Sequence, residues 1–144
     1  MPESSAELDE LRRRVDEQSQ RIEELQDALR TLSIAVQYRK EEPYLAFQAE
    51  HSITGRRRIA LNAAINGVLS RAQGRVNPLS SRVREELLED YPALAKAYAP
   101  EPIDWDEAVR VVGEVLGSEH LGRQALEAHR ARGSGLEGHR ALSR

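Results

Sequence analysis

Arginine is the residue type in this chain that is clustered in a way that could bind a ligand. Residues 43–84 hold seven arginines and a single acid, Glu50. Guanidinium groups bind phosphate oxygens, and the amides of Asn62, Asn66 and Gln73 could contact base edges beside them. The block therefore predicts a candidate surface for an anion or a nucleic acid. Its members are Arg56, Arg57, Arg58, Arg71, Arg75, Arg82 and Arg84.

These arginines could instead have a partner within the protein. Residues 85–118 follow directly and carry nine acids and two bases. Residues 60–67 place Ala60, Ala63, Ala64 and Gly67 on one helical face, and small residues at this spacing let another helix approach closely. The helix that carries the arginines is therefore expected to pack in the core of the body. We favour the acidic block over an external anion as their partner.

Other motifs in the chain do not have the context that their chemistry requires. Residues 133–138, GSGLEG, match a phosphate-binding glycine loop, but that loop needs a preceding strand, and here a helix is expected. His120 and His129 are nine residues apart, which places them on opposite faces of one helix. No metal-ligand spacing or catalytic motif appears. We expect no catalytic, cofactor-binding or metal-binding residues, and no enzyme.

The N-terminal segment has an apolar heptad repeat, whose positions are lettered a to g with Leu8 at a. Eight of the ten a and d positions between residues 8 and 39 are apolar, and neither Gly nor Pro interrupts residues 3–42. A pattern sustained over four heptads is typical of a coiled coil. The predicted oligomerisation residues are Leu8, Leu11, Val15, Gln18, Ile22, Leu25, Leu29, Leu32 and Val36.

A helix over residues 5–40 would be roughly 50 Å long, at 1.5 Å per residue, which is more than a small body can cover. We therefore predict self-association, most simply a dimer. Gln18 is polar at a d position and can fix the register of the pair. Beyond Ala28 the apolar face widens to include Ile34 and Ala35, which predicts packing against the body. The alternative is one long helix lying antiparallel on the body of its own chain.

The remainder of the chain reads as short helices separated by Gly and Pro. β-Branched residues never alternate with polar ones over a strand-length run, so the predicted fold is all-α. It consists of a long coiled-coil helix and a small bundle of short helices. Asp104 and Glu107 form a capping box before a helix that ends at Gly117. The predicted domains are an oligomerisation helix (1–42), a helical domain (43–132) and a disordered tail (133–144).

The body is expected to have a largely aliphatic core, because only six side chains in the chain are aromatic. About 100 residues of short helices can fold alone, but the free energy of unfolding of such a domain is not large. The predicted core members are Tyr44, Leu45, Phe47, Ile59, Leu61, Ile65, Val68, Leu69, Val83, Leu87, Leu88, Leu94, Trp105, Val109, Val112 and Leu116.

Composition narrows the class of protein further. The chain has no cysteine, so disulfides and thiolate metal sites are excluded. No apolar run approaches the roughly 18 residues of a membrane span, and the acidic N-terminus is unlike a signal peptide. We therefore expect a cytoplasmic protein without membrane contact. The sequence predicts a non-enzymatic, homo-oligomeric adaptor, scaffold or regulatory protein that binds another protein. The alternative is a nucleic-acid-binding regulator, dimerised by the coiled coil, that uses the arginine block.

Overall fold

The computed structural model describes residues 2–37, 41–75 and 81–143, and for residues 2, 3 and 81–84 it describes the backbone only. The described residues form α-helices joined by turns and short loops, with no strand among them. The predicted all-α fold, with a long N-terminal helix and shorter helices after it, is confirmed. The helices are α1 (Pro2–Gln37), α2 (Pro43–Glu50), α3 (Gly55–Ala72), α4 (Ser81–Asp90), α5 (Ala93–Ala97), α6 (Trp105–Leu116), α7 (Glu119–Ala131) and α8 (Leu136–Leu142).

Helix α1 extends away from the body over most of its length. Residues 4–26 are exposed, apart from the half-buried Glu10. Contact with the body begins at residue 27, and Thr31 and Ala35 are buried where α1 packs on α2. The alternative of a helix lying antiparallel on its own body is therefore wrong. The 36 residues of α1 span about 54 Å.

Helix α3 is the central helix of the body and packs against α5, α6 and α8. Its small-residue face admits a neighbour as the sequence predicts. At Gly67 an added Cβ would lie 2.7 Å from the carbonyl oxygen of Ala97, so only glycine allows this approach of α5. Leu61 and Ile65 from the same helix are fully buried. This packing fixes the positions of the arginines at the two ends of α3.

Helix α6, which packs against α7, has the predicted boundaries. The carboxylate of Asp104 accepts a hydrogen bond of 2.8 Å from the backbone N–H of Glu107, which caps the start of α6. Gly117 ends α6 with a left-handed φ of 88°. The two helices cross closely, because a Cβ at Gly122 would lie 2.5 Å from the backbone nitrogen of Gly113.

The predicted core is confirmed with one exception among the described side chains. Ile59 is 52% exposed, because it faces the groove beside α4 rather than the centre of the bundle. The other predicted members are buried or half-buried, except Val83, whose side chain lies outside the described residues. The core also includes Ile53 and Leu126, both fully buried, which the sequence analysis did not select.

The prediction of a disordered tail over residues 133–144 is wrong for the residues that the structure describes. Gly133 and Gly135 take left-handed φ values of 88° and 63°, and the chain turns back into α8. This helix packs on α3, where Gly138 approaches Leu69, and it buries Leu142 in the core. Residues 133–143 therefore belong to the helical body, and Arg144 lies outside the described residues.

Candidate interaction surface

The eight apolar residues of the predicted oligomerisation face are all exposed in the single chain. Their exposed fractions range from 49% at Leu32 to 73% at Val36, and the polar Gln18 is exposed as well. From Leu8 to Val36 this face forms one stripe about 42 Å long. We call this stripe, made of the nine predicted oligomerisation residues, the seam. Contiguous apolar surface of this extent is typical of an interaction site.

Charged side chains occupy other faces of α1 and stabilise the helix locally. Arg13 forms ion pairs of 2.6 Å with both Glu10 and Glu17, and Arg14 pairs with Glu10 at 3.2 Å. Hydrogen bonds from Arg13 and Arg14 lower the pKa of Glu10. These pairs at i,i+3 and i,i+4 spacing support a helix that has little tertiary cover. They lie outside the a and d positions, so the seam carries no charged side chain and Gln18 is its one polar residue.

The body contacts α1 without covering the seam. Thr31 and Ala35, which are buried against the body, occupy positions c and g. Leu29, Leu32 and Val36 occupy a and d in the same turns and remain exposed. The wider apolar face beyond Ala28 was predicted to pack on the body, and Ala35 does so. The internal contact and the exposed seam are thus separate faces of one helix.

A groove lies between the end of the seam and α2. It has a volume of 330 Å³. Helix α1 contributes Leu32, Ala35 and Val36 to its lining, and α2 contributes the half-buried Ala46 and Ala49 with Glu50 at the rim. The small alanine side chains leave room beside the seam. The apolar surface of α1 therefore continues onto α2.

The three adjacent arginines at the start of α3 contact three different helices. Arg56 pairs with Asp90 of α4 at 2.9 Å and also donates to the backbone carbonyl of Glu86. Arg57 donates a hydrogen bond of 2.8 Å to the carbonyl oxygen of Leu116, at the C-terminal end of α6. Arg58 pairs with Asp27 of α1 at 3.1 Å. These side chains therefore join elements of the same chain.

Arg71, near the end of α3, is 7% exposed and holds the segment that links α5 to α6. It donates hydrogen bonds of 2.7 Å to the carbonyl of Glu101 and 2.6 Å to that of Lys96. A third donor group lies 3.4 Å from the carbonyl of Pro102 and 3.9 Å from the carboxylate of Glu107. The planar guanidinium can bind several acceptors at once, which suits this position.

The arginine block is not gathered into one surface by the described residues. Arg75 is exposed and pairs at 3.7 Å with Glu137 of α8, far along α3 from Arg56. The side chains of Arg82 and Arg84 lie outside the described residues. Asn62 accepts a hydrogen bond of 2.7 Å from the hydroxyl of Tyr44. Two of the described arginines pair with acids of the acidic block, Arg56 with Asp90 and Arg71 weakly with Glu107, and Arg57, Arg58 and Arg75 have other internal partners.

Two histidines that the sequence analysis did not connect lie together in the body. Nδ1 of His129 and Nε2 of His139 are 2.9 Å apart, and the ring of Tyr44 packs edge-on to His129 with centroids 5.0 Å apart. Burial, with the neighbouring His139 as a smaller cause, lowers the pKa of His129 to about 4. Burial also lowers the pKa of His139 and raises that of Tyr44 to about 12. The residues are paired only because α8 folds back.

Within the ranges 2–37, 41–75 and 81–143, there is no group of three or more His, Asp or Glu side chains that could hold a metal ion. Over the same part of the chain, no helix has the length and apolar character to cross a membrane. Comparison of the chain with protein-family models, with curated proteins and with solved structures finds no match. The site must therefore be interpreted from its own geometry. That geometry defines an all-α protein with an apolar seam on its long helix.

Proposed function

We propose that this chain is a non-enzymatic, homo-oligomeric adaptor or scaffold that acts through protein–protein contacts. In this proposal α1 is the oligomerisation helix, and the body of α2–α8 is the unit that it brings together. The observation that carries the proposal is the exposure of all eight apolar seam residues, by 49% to 73%. A cytoplasmic location is part of the proposal.

The energetics of α1 favour a partner along the seam. Fully burying one Leu, Val or Ile side chain stabilises a structure by about 1.5–3 kcal/mol, and the seam has eight such residues. Residues 4–26 receive almost no cover from the body. Most helices in proteins gain their stability from packing of an apolar face. Pairing of the seam with a second seam would supply that packing over the whole length of α1.

A non-enzymatic role is supported by the roles that the acids and histidines already have. Asp104 caps α6, and Asp90 pairs with Arg56 beside an open groove that Glu85, Glu86 and Glu89 also line. His129 and His139 bind each other rather than facing a cleft. A catalytic acid or base needs to reach a substrate, so these arrangements favour structural roles.

The second hypothesis, a nucleic-acid-binding regulator, has weaker support. The described arginines of the block each bind a carboxylate or a carbonyl of their own chain, and they diverge toward α1, α4, α5, α6 and α8. Binding to duplex DNA or RNA should therefore be weak at 150 mM salt. Strong binding that falls steeply with salt, and that Arg56→Glu and Arg58→Glu abolish, would favour this hypothesis instead.

Light scattering and sedimentation of the full chain at micromolar concentration test self-association. We expect a dimer, and we expect the seam variant Ile22→Asn/Leu29→Asn to be a monomer at the same concentration. The control variant Gln20→Asn/Glu24→Asn changes exposed positions f and c on either side of Ile22 and should stay dimeric. A monomeric wild-type chain would rule out the proposal.

The adaptor role needs a separate measurement. A mass-resolved pull-down from native lysate, treated with nuclease to remove nucleic-acid bridges, should enrich the same proteins with the wild-type chain in repeated experiments. The monomeric seam variant should retain them less well, because two bodies held together bind a multivalent partner with higher avidity than one. Loss of all bound proteins on nuclease treatment would contradict an adaptor role.

A further inference from the structure

Gln18 is the one polar side chain of the seam, and it distinguishes the two orientations of a paired α1. In an antiparallel coil each d residue faces an a residue of the other helix. Every a residue of the seam is apolar (Leu8, Val15, Ile22, Leu29 and Val36). Any antiparallel register would thus bury the carboxamide of Gln18 against an aliphatic side chain. A parallel, in-register pair places Gln18 opposite Gln18, where the two amides can hydrogen-bond to each other.

Charges beside the seam favour the same orientation. A parallel pair brings a g residue close to the e residue five positions later on the other helix, so Glu7 meets Arg12. Neither Glu7 nor Arg12 has an ion-pair partner within the described part of its own chain. The later parallel pairs contain no like charges. An antiparallel register that pairs Leu8 with Leu32 would instead bring Arg21 against Arg21.

The groove at the body end of the seam is shaped for a side chain from a parallel partner. In a parallel coil an a side chain packs against the a residue of the other helix and the g and d residues just before it. For Val36 of a second copy these are Val36, Ala35 and Leu32, which line the groove. Ala46 and Ala49 of α2 form the opposite wall. An antiparallel partner would carry its own Val36 to the far end of α1.

We propose that two copies of this chain pair through α1 in parallel and in register, with a central Gln18 layer and with Val36 of each copy seated in the other's groove. This inference rests on the proposed function, since it assumes self-association through the seam. Val and Ile at a positions with Leu at d positions favour two strands. The two bodies then lie at the same end of the coil, and α2 is part of the interface. The assembly presents each body surface twice in one direction.

The orientation is tested in the full chain with a single introduced thiol, because the protein has no cysteine of its own. Ser4→Cys lies at a d position, one heptad before Leu11. In a parallel pair the two thiols face each other, and mild oxidation should cross-link most of the dimer. In an antiparallel pair that aligns Leu8 with Leu32, they lie 32 residues apart, about 48 Å. Spin labels on the same thiol measure that distance directly.

The outcomes separate the orientation from the proposed function. A dimer by light scattering that cross-links through Ser4→Cys, with a short spin-label distance, supports the parallel pair. A dimer that fails to cross-link, and whose two spin labels lie about 38 Å or more apart, overturns the parallel orientation and leaves self-association intact. The lower limit of about 38 Å allows for an antiparallel pair shifted by one heptad from the Leu8–Leu32 alignment. A monomer overturns both. Gln18→Leu should cross-link less completely or form higher oligomers, because the polar layer no longer penalises other arrangements.

The role of the groove is tested by Ala49→Glu. This change places a charge in the groove and should raise the Kd of the dimer at least tenfold while leaving the helical content of the body unchanged. The matched control is Ala95→Glu on the exposed face of α5, which should leave the Kd unchanged. An unaltered Kd for Ala49→Glu, measured by sedimentation, would show that α2 takes no part in the interface.

Discussion

Nδ1 of His129 and Nε2 of His139 lie 2.9 Å apart and join α7 to α8. One ring must donate and the other accept, so the accepting ring has to be neutral, and burial favours the neutral form of both rings. Nδ1 of His139 is buried and has no other hydrogen-bond partner among the described residues. The arrangement that avoids a buried unpaired N–H is donation from Nε2 of His139 to Nδ1 of His129. The pair therefore joins α8 to α7, and its burial favours the state in which both rings are neutral.

We expect the stability of the body to fall as the pH decreases from about 6.5 to about 4. The pKa of His129 is lowered from 6.5 to about 4 by burial, and that of His139 is lowered by burial and by Arg130. Because these values are lower in the folded state, the unfolded chain binds more protons in this window, and acid favours unfolding. Arg132 adds to the effect on His129. The contribution of the two histidines to the stability of the body is fully present at pH 7 and above.

The measurement is urea unfolding of the wild type and of His129→Gln/His139→Gln between pH 7 and pH 4.5. Carboxylates titrate in both proteins, so the difference between their free energies of unfolding isolates the histidines. That difference should shrink steadily with acid. If it is the same at every pH, the pair does not titrate as its burial implies.

The histidine pair also marks the limit of prediction from sequence. Helix boundaries follow from local signals, such as the Asp104 cap and Gly117, and these were predicted correctly. His129 and His139 are ten residues apart across Gly133 and Gly135, and nothing local indicates that the chain returns. The burial of Leu142 and His139 is a tertiary effect, and it accompanies the packing of the segment on the body as a helix. Two leucines and one alanine in a segment of otherwise polar residues and glycines are a weak signal.

The arginine block shows a second limit of the same kind. Its charge was evident from the sequence, and the acidic block was favoured as its partner, but of the three arginines at the start of α3 only Arg56 pairs with an acid of that block, while Arg58 pairs with Asp27 of α1. The particular partners were not predictable, because backbone carbonyls at helix ends, such as that of Leu116, carry no sequence signal. The heptad pattern, in contrast, predicted an apolar stripe that the single chain leaves uncovered. Periodicity identifies a face, but only the fold tells which face the body uses.

Arg71 should be more important for stability than any other described arginine of the block. Its guanidinium satisfies the carbonyls of Lys96 and Glu101 in a buried position. Arg71→Met would leave these acceptors unpaired and should reduce the free energy of unfolding by at least about 2 kcal/mol. Arg71→Lys should recover little of this loss, because an ammonium cannot reproduce the planar fork.

The control for Arg71 is Arg75→Met, three residues beyond the end of α3. Arg75 and Glu137 are 70% and 78% exposed and their charges are 3.7 Å apart. An exposed pair of this kind contributes little, so the expected change is within about 0.5 kcal/mol. Thermal and urea unfolding compare the three variants with the wild type. Equal effects of Arg71→Met and Arg75→Met would contradict the role assigned to Arg71.

Gly122→Ala should destabilise the protein although alanine is the better helix former. Alanine gains about 1 kcal/mol over glycine inside a helix. At Gly122, however, a Cβ would lie 2.5 Å from both the backbone nitrogen of Gly113 and the carbonyl oxygen of Val109. Backbone atoms cannot move aside, so α6 and α7 must separate, at a net cost of about 1–3 kcal/mol. Urea unfolding should show the loss, whereas Arg123→Ala on the exposed face should change little. A stabilised Gly122→Ala would disprove the close crossing.

The ion pair between Asp27 and Arg58 lies where α1 first meets the body, and it should help to hold α1 in place. Asp27 precedes the buried Thr31 and Ala35, and its carboxylate is 3.1 Å from the guanidinium of Arg58. The two side chains are 41% and 33% exposed, so solvent screens the pair and its contribution should be about 0.5–1 kcal/mol. Asp27→Arg and Arg58→Asp should each destabilise the chain, because each brings two like charges together. The double exchange should restore most of the loss.

A double-mutant cycle in urea measures this coupling without the other effects of each substitution. Amide hydrogen exchange over residues 27–37 adds a local measurement, since opening of the α1–α2 contact needs less free energy than unfolding of the body. Exchange in this segment should be faster in both single variants and near the wild-type rate in the double exchange. High salt should reduce the differences, as expected for a partly exposed pair. Additive effects of the two single changes would mean that α1 is held by Thr31 and Ala35 alone.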